Sequence, residues 1–182
     1  MSIEQGNDLL HQANMELQKV WLNQIFLTWR WWIAVGLCVL PWAAWIIRRD
    51  KKNTNALLYA GFFIMITVCL LDSMGMALGL WSYPTKTVPI IPSFPEFDLC
   101  AIPVGNMFML QILPNVNPII KAITLSIPAS LVAQPFAVVA GLYNPKYWHH
   151  YYSIPFVIVI YLSANFLYEK MQIEERKLGD RQ

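Results

Sequence analysis

Charged residues and cysteines are scarce in this sequence, and both shortages exclude classes of protein. Only 13% of the 182 residues are charged and 57% are hydrophobic, and the mean hydropathy of +0.42 is high for a soluble domain. The net charge of +2 is too small to indicate nucleic-acid binding. Cys38, Cys69 and Cys100 lack CxxC or metal-ligand spacing and are expected to pack in helices. We therefore expect an all-α integral membrane protein with no metal and no cofactor.

The sequence also lacks the basic start of a secretory signal peptide. Glu4, Asp8 and Glu16 come before Lys19, so no cleaved signal is expected. Over residues 1–28, the apolar residues fall on one side of a helical wheel. This pattern is typical of an amphipathic helix that lies in the membrane interface. The alternative is a helix that packs against the bundle or against a partner.

Long apolar runs predict about five transmembrane helices, which form one domain over residues 29–168. Each span needs roughly 20 apolar residues, and the chain has room for five with short loops. Pro103 interrupts the short third span, and Pro128 and Pro135 are expected to kink the fourth. A proline-rich loop that is expected to be extended lies between the second and third spans. The predicted spans are 29–47, 56–80, 97–113, 119–143 and 153–168, followed by a charged cytoplasmic tail at 169–182.

The distribution of lysine and arginine predicts the orientation in the cell membrane. If the loop after the first span is cytoplasmic, nine basic residues lie inside and four outside, as the positive-inside rule requires. The N-terminus is then outside and the C-terminus is cytoplasmic. The inside set is Arg48, Arg49, Lys51, Lys52, Lys121, Lys170, Arg176, Lys177 and Arg181, and the outside set is Lys19, Arg30, Lys86 and Lys146.

Asp72 is the strongest single candidate for a functional residue, because it is an acid inside an otherwise apolar span. Such acids are costly in a bilayer and usually face the bundle interior, a partner or a water-filled cavity. Asp72 could bind a proton or a cation. The favoured alternative is a structural role, in which Asp72 forms hydrogen bonds with the hydroxyls or the backbone of a neighbouring helix.

Four further candidates lie on the side toward which Asp72 points, namely Glu96, Asp98, His149 and His150. Carboxylates and imidazoles are the usual proton carriers and metal ligands, so a catalytic cluster is one interpretation. The spacing matches no known metal motif, and adjacent histidines on a helix point about 100° apart. Interfacial residues that cap helices and anchor headgroups are the other interpretation.

Three functions remain open at this point. No set of residues has the spacing of a known chemistry, which favours a non-enzymatic structural or accessory role. The second is a membrane enzyme or a binder of lipid or small ligands that uses the cluster around Asp72. The third is a solute or ion conduit built on the proline-broken spans. The expected partner is the lipid bilayer, together with a membrane protein or a second copy of the chain.

Three stretches of the chain form a distinctive pattern: DSMGMALGLWSYP from Asp72 to Pro84, VPIIPSFPEFD ending at Asp98, and YWHHYYS from Tyr147 to Ser153. Together they resemble a family of small multi-pass membrane proteins of spore-forming Gram-positive bacteria that has no established activity. The resemblance implies a bacterial membrane protein and carries over no catalytic residue. A fainter likeness is to the carotenoid-cyclase type of membrane domain, whose P-x-E-E motif opens a helix. Here Phe97 separates Glu96 from Asp98.

Overall fold

The computed structural model of the protein describes residues 2–112 and 114–179, with side chains up to Lys177. Helices dominate this part of the chain, as the composition predicts. The α-helices are α1 Ile3–Gln24, α2 Trp29–Arg48, α3 Thr54–Ala77, α4 Ile102–Gln111, α5 Pro118–Pro128, α6 Gln134–Val139 and α7 Ser153–Gly179. The other elements are π-helical turns at Glu96–Ala101 and Ala129–Ala133, a 3₁₀ turn at His150–Tyr152, and the short strands β1 Trp81–Ser82 and β2 Asn144–Pro145.

Within the described residues, four helices are long and apolar enough to span a membrane. They are Trp29–Arg48, Thr54–Ala77, Pro118–Val139 and His150–Lys177. They coincide with the first, second, fourth and fifth predicted spans. The last helix continues to Gly179, so the charged tail begins as part of the same helix, and residues 180–182, including Arg181, lie outside the described residues.

The third predicted span is a shorter helical segment, Glu96–Gln111, made of a π turn followed by α4. Its two ends lie beside the two ends of α2. Trp31 donates to the carbonyl of Thr87, whose side chain bonds Glu96, whereas the Gln111 amide donates to the Arg48 carbonyl. The segment therefore extends along most of α2, and its predicted last residue, Leu113, lies outside the described residues. We call the end of the bundle that holds Trp31 and Glu96 the Asp72 end, and the end that holds Arg48 and Gln111 the Asp50 end.

Each π turn ends two residues before a proline, which explains where the helices widen. Pro103 has no N–H to donate to the Leu99 carbonyl, so an α-helical hydrogen bond is missing there. The indole Nε1 of Trp42 donates to that carbonyl at 3.1 Å. Pro135 follows the turn Ala129–Ala133 at the same spacing. The predicted breaks are thus local π turns, which commonly accommodate an interruption inside a helix.

Small residues let the helices of the bundle pack closely. A Cβ atom on Gly61 of α3 would lie 2.7 Å from the sulfur of Met107 in α4, closer than such contacts allow. In a bilayer, where burying apolar surface between helices gains little, this close packing supplies much of the association energy. The main core joins α2, α3, α4, α5 and α7 and includes Trp45, Ala56, Leu57, Ala60, Ile64, Met107, Ala122, Tyr161 and Ala164.

The N-terminal helix α1 lies apart from this core. None of its residues is buried, and apolar side chains such as Leu10 and Leu17 are more than 60% exposed, with Met15 and Val20 exposed by 44% and 47%. Ser2 caps it by accepting from the Gln5 amide, and Met1 lies outside the described residues. Its C-terminal Trp21 donates to the Lys86 carbonyl at 2.6 Å, which ties α1 to the Asp72 end. The apolar face of α1 is therefore free for a membrane or a partner.

Candidate functional site at the Asp72 end

Asp72 is the centre of a buried hydrogen-bond cluster. Only 7% of the residue is exposed. Its Oδ1 accepts from the indole Nε1 of Trp81 at 2.7 Å and from the hydroxyl of Tyr83 at 2.6 Å. Its Oδ2 accepts from the backbone amide of Phe94 at 3.0 Å. Both carboxylate oxygens are thus bonded to groups of the same chain, as a buried acid requires.

The sequence after Asp72 explains why Trp81 reaches it. Helix α3 ends at Ala77, and Gly79, just after its C-cap Leu78, has a φ of 72° in the left-handed region that favours glycine. The chain then turns back, so the Trp81 ring lies against Gly75, one turn beyond Asp72. A Cβ atom on Gly75 would lie only 2.0 Å from that ring. Glycine at this position is therefore required for the indole to reach the carboxylate.

Aromatic packing and a short sheet fix the loop that follows. Strand β1 pairs antiparallel with β2, with Trp81 opposite Pro145, which joins the loop to the segment before α7. The Tyr83 ring stacks on Phe94 at 4.5 Å. The Trp81 ring meets Trp148 edge to face at 5.1 Å. These contacts hold the Trp81 and Tyr83 donors in place around Asp72.

Asp98 is the second acid of the cluster. Its Oδ2 accepts from the same Phe94 amide as Asp72, at 3.1 Å, so the two carboxyl groups are neighbours. Asp98 is 3% exposed. Two ionised carboxylates this close repel each other, and such pairs are stabilised when they share a proton or have a cation beside them.

Lys86 is a buried cation that interacts electrostatically with these acids. It is 8% exposed, and its Nζ donates to the carbonyls of Ile91 at 2.9 Å and Pro92 at 3.2 Å. Burial lowers the pKa of Lys86 below its ordinary value, while the carboxyls of Asp72, Glu96 and Asp98 partly oppose that shift. The lysine also lies 5.9 Å from the Tyr83 ring centre.

Glu96 is fully buried beside the cluster, and only one of its two carboxylate oxygens accepts hydrogen bonds from the described residues. Its Oε1 accepts from both the amide and the hydroxyl of Thr87. Its Oε2 has no hydrogen-bond partner among the described residues. An unpaired buried carboxylate oxygen is costly, so Glu96 has acceptor capacity left for a proton, a water molecule or a ligand.

The two candidate histidines do not join the acids. The His150 Nδ1 pairs with Gln134 Oε1 at 3.1 Å, and His149 is exposed and stacks on Tyr151 at a ring separation of 5.4 Å. The structure thus brings Asp72, Asp98 and Glu96 to one end but holds the histidines in the aromatic segment before α7. In residues 2–112 and 114–177, no group of three or more His, Cys, Asp or Glu side chains could hold a metal ion.

The sequence pattern does not by itself assign the donors that surround Asp72. Aromatic residues at the end of an apolar run, such as Trp81 and Tyr83, are typical of anchors at the membrane interface. The signal was present, because both residues carry a polar hydrogen and follow Asp72 across a Gly-containing helix end. The Phe94 amide and Lys86 could not be found in this way, since only the folded loop places them near Asp72.

Two cavities occur elsewhere in the described structure, and neither is lined by residues of the Asp72 cluster. One of about 460 Å³ lies at the Asp50 end, and an apolar groove of about 850 Å³ runs along α2 beside Gly36. The Asp72 cluster therefore does not open to either of these two spaces. Comparison of the chain with protein families, with curated proteins and with solved structures found no match.

Proposed function

We propose that the chain is a bacterial cell-membrane protein with a non-enzymatic structural or accessory role. The main support is that both carboxylate oxygens of Asp72 already accept hydrogen bonds, from Trp81, Tyr83 and Phe94. A carboxylate that binds substrate or carries protons needs access to them. Asp72 instead holds the loop between α3 and Glu96 onto the bundle.

The proposed arrangement has five crossings, with the N-terminus outside and the C-terminus in the cytoplasm. Glu96–Gln111 has 16 residues, but its ends lie near Trp31 and Arg48, close to the two ends of α2. The nine-to-four distribution of basic residues supports the same orientation. The Asp72 end is then external and the Asp50 end is cytoplasmic.

Helix α1 would lie on the outer surface of the membrane in this arrangement. Its exposed apolar residues and its single indole tie to Lys86 support this placement. A photoreactive residue at Leu10 should cross-link to lipid in vesicles. Cross-linking to one protein band instead would favour a membrane-protein partner or a second copy.

Complementation tests the structural role. In a deletion strain of the source bacterium that has a phenotype, the Asp72→Asn protein should restore function, because asparagine keeps Oδ1 for Trp81 and Tyr83. Asp98→Asn is the matched variant at the neighbouring acid. A folded and inserted Asp72→Asn protein that failed to complement would mean that the carboxylate itself is used.

A ligand-binding or catalytic role is the second candidate, and Glu96 is the observation that favours it. Its Oε2 is buried and has no partner among the described residues, so it could accept a hydrogen bond from a small ligand. Glu96→Gln separates the two roles. Loss of function with unchanged thermal stability would support the ligand-binding role and argue against the structural one.

A further inference from the structure

The cavity of about 460 Å³ at the Asp50 end has a polar, charged lining. It lies where the loop after α2, the turn before α5 and helix α7 meet, at the opposite end of the bundle from Asp72. Its volume is typical of a small-molecule site. The lining residues that matter here are Asp50, Asn117, Lys121, Asn165, Glu169 and Arg176.

Lys121 is the buried lining residue whose charge is least compensated by direct contacts in this cavity. It is only 5% exposed, and its Nζ makes one long hydrogen bond, 3.5 Å to the Leu110 carbonyl. Among the described residues, the salt bridge within 4.0 Å joins Lys19 and Glu16 in α1. No carboxylate oxygen of these residues therefore lies within 4.0 Å of the Lys121 Nζ. A buried ammonium without an anion is unfavourable. An anionic group in the cavity would supply the missing partner.

The same cavity also holds two acids, which restricts the ligand. Asp50 accepts from the Lys52 amide at 3.0 Å and from Asn53 Nδ2 at 2.5 Å, and these bonds lower the pKa of its carboxyl. Glu169 accepts from Asn165 at 2.8 Å. The lining carries two acids and two basic residues, Lys121 and Arg176, which form no ion pair within 4.0 Å among the described residues, so its total charge is zero and a lone anion would add an unmatched negative charge. A ligand with both an anionic and a cationic group fits this lining.

The position of the cavity favours phosphate as the anionic group. Lys121 lies in the first turn of α5, and the positive end of the helix dipole there favours an anionic group such as phosphate. We propose that the cavity binds a phosphoethanolamine group, with the phosphate at Lys121 and Arg176 and the ammonium at Asp50 and Glu169. The group can come from a membrane phospholipid or from a soluble glycerophosphoester.

Binding to the full-length protein tests this site. In detergent, tritiated glycerophosphoethanolamine should bind saturably, and glycerophosphocholine should compete weakly because its ammonium has no N–H to donate. In nanodiscs, native mass spectrometry should show retained phosphatidylethanolamine in preference to phosphatidylglycerol. Binding in both tests, or of the lipid alone, supports the site, and the latter identifies the bilayer as the source. No binding of either form overturns the proposal.

Matched variants locate the binding. Lys121→Met should weaken binding of either form by about tenfold or more, the value of one charge-assisted hydrogen bond. Its melting temperature without ligand should stay the same or rise, because an unpaired buried charge is removed. Lys52→Met, an exposed change at the same end outside the cavity, should bind as the wild type does. Equal binding by the Lys121→Met variant and the wild type would place the ligand elsewhere and refute the proposal.

Discussion

Replacing Asp72 with leucine removes the acceptor on which the Asp72 end depends. Leucine strands two donors, the Trp81 indole and the Tyr83 hydroxyl, whereas the Phe94 amide keeps its bond to Asp98. Each stranded buried donor costs about 1 to 3 kcal/mol, so the expected loss is about 2 to 6 kcal/mol. At about 2 to 4 °C per kcal/mol for a chain of this size, the melting temperature should fall by at least about 4 °C.

Thermal unfolding in detergent, followed by tryptophan fluorescence, measures this loss. Asp72→Asn should lose less than about 1 kcal/mol, because Oδ1 remains for Trp81 and Tyr83 and the new amide can donate to Asp98. Asp8→Leu, on the exposed surface of α1, should change stability by no more than about 0.5 kcal/mol. If Asp72→Leu and Asp72→Asn have the same melting temperature, the hydrogen bonds to Asp72 do not stabilise the fold and the reasoning is wrong.

Three further changes test neighbouring parts of the structure. Gly75→Ala should destabilise by about 1 to 3 kcal/mol, because its Cβ would overlap the Trp81 ring, whereas Gly105→Ala meets no atom within 4 Å and should be neutral or stabilising by thermal melt. Trp42→Phe should cost about 0.5 to 1.5 kcal/mol in the same assay, because it removes the hydrogen bond to the Leu99 carbonyl; no loss would mean that water replaces the indole. Because burial lowers the pKa of Lys86 below 10.5, the folded state holds this proton less tightly than the unfolded chain, and stability from this group rises with pH up to about 10.5. The melting temperature of the wild type relative to Lys86→Met should therefore increase between pH 7 and pH 10, and a constant difference would contradict the shift.

The sequence predicts the helices of this fold well because they depend on local composition. Apolar runs of about 20 residues locate four spanning helices, and the prolines locate the interruptions. The form of those interruptions was not predictable. A proline removes a donor, but whether the helix kinks or widens into a π turn depends on which neighbour, such as Trp42, satisfies the freed carbonyl.

The candidate site was predictable only in part, because its contacts join distant segments. Asp72 stands out as an acid in an apolar run, and Asp98 was expected on the same side. Their meeting at one Phe94 amide depends on how the proline-rich loop folds. The separation of His149 from the acids follows from the aromatic stacking before α7, which has no sequence signature.

Cysteine accessibility measures the proposed five-crossing arrangement most directly. In a protein with Cys38, Cys69 and Cys100 replaced by alanine, single cysteines are placed at the exposed positions Lys146, Lys52 and Lys177. A membrane-impermeant maleimide added to intact protoplasts should label position 146 but neither 52 nor 177, and all three should react after lysis. Labelling of position 177 from outside would mean an even number of crossings and would contradict the account.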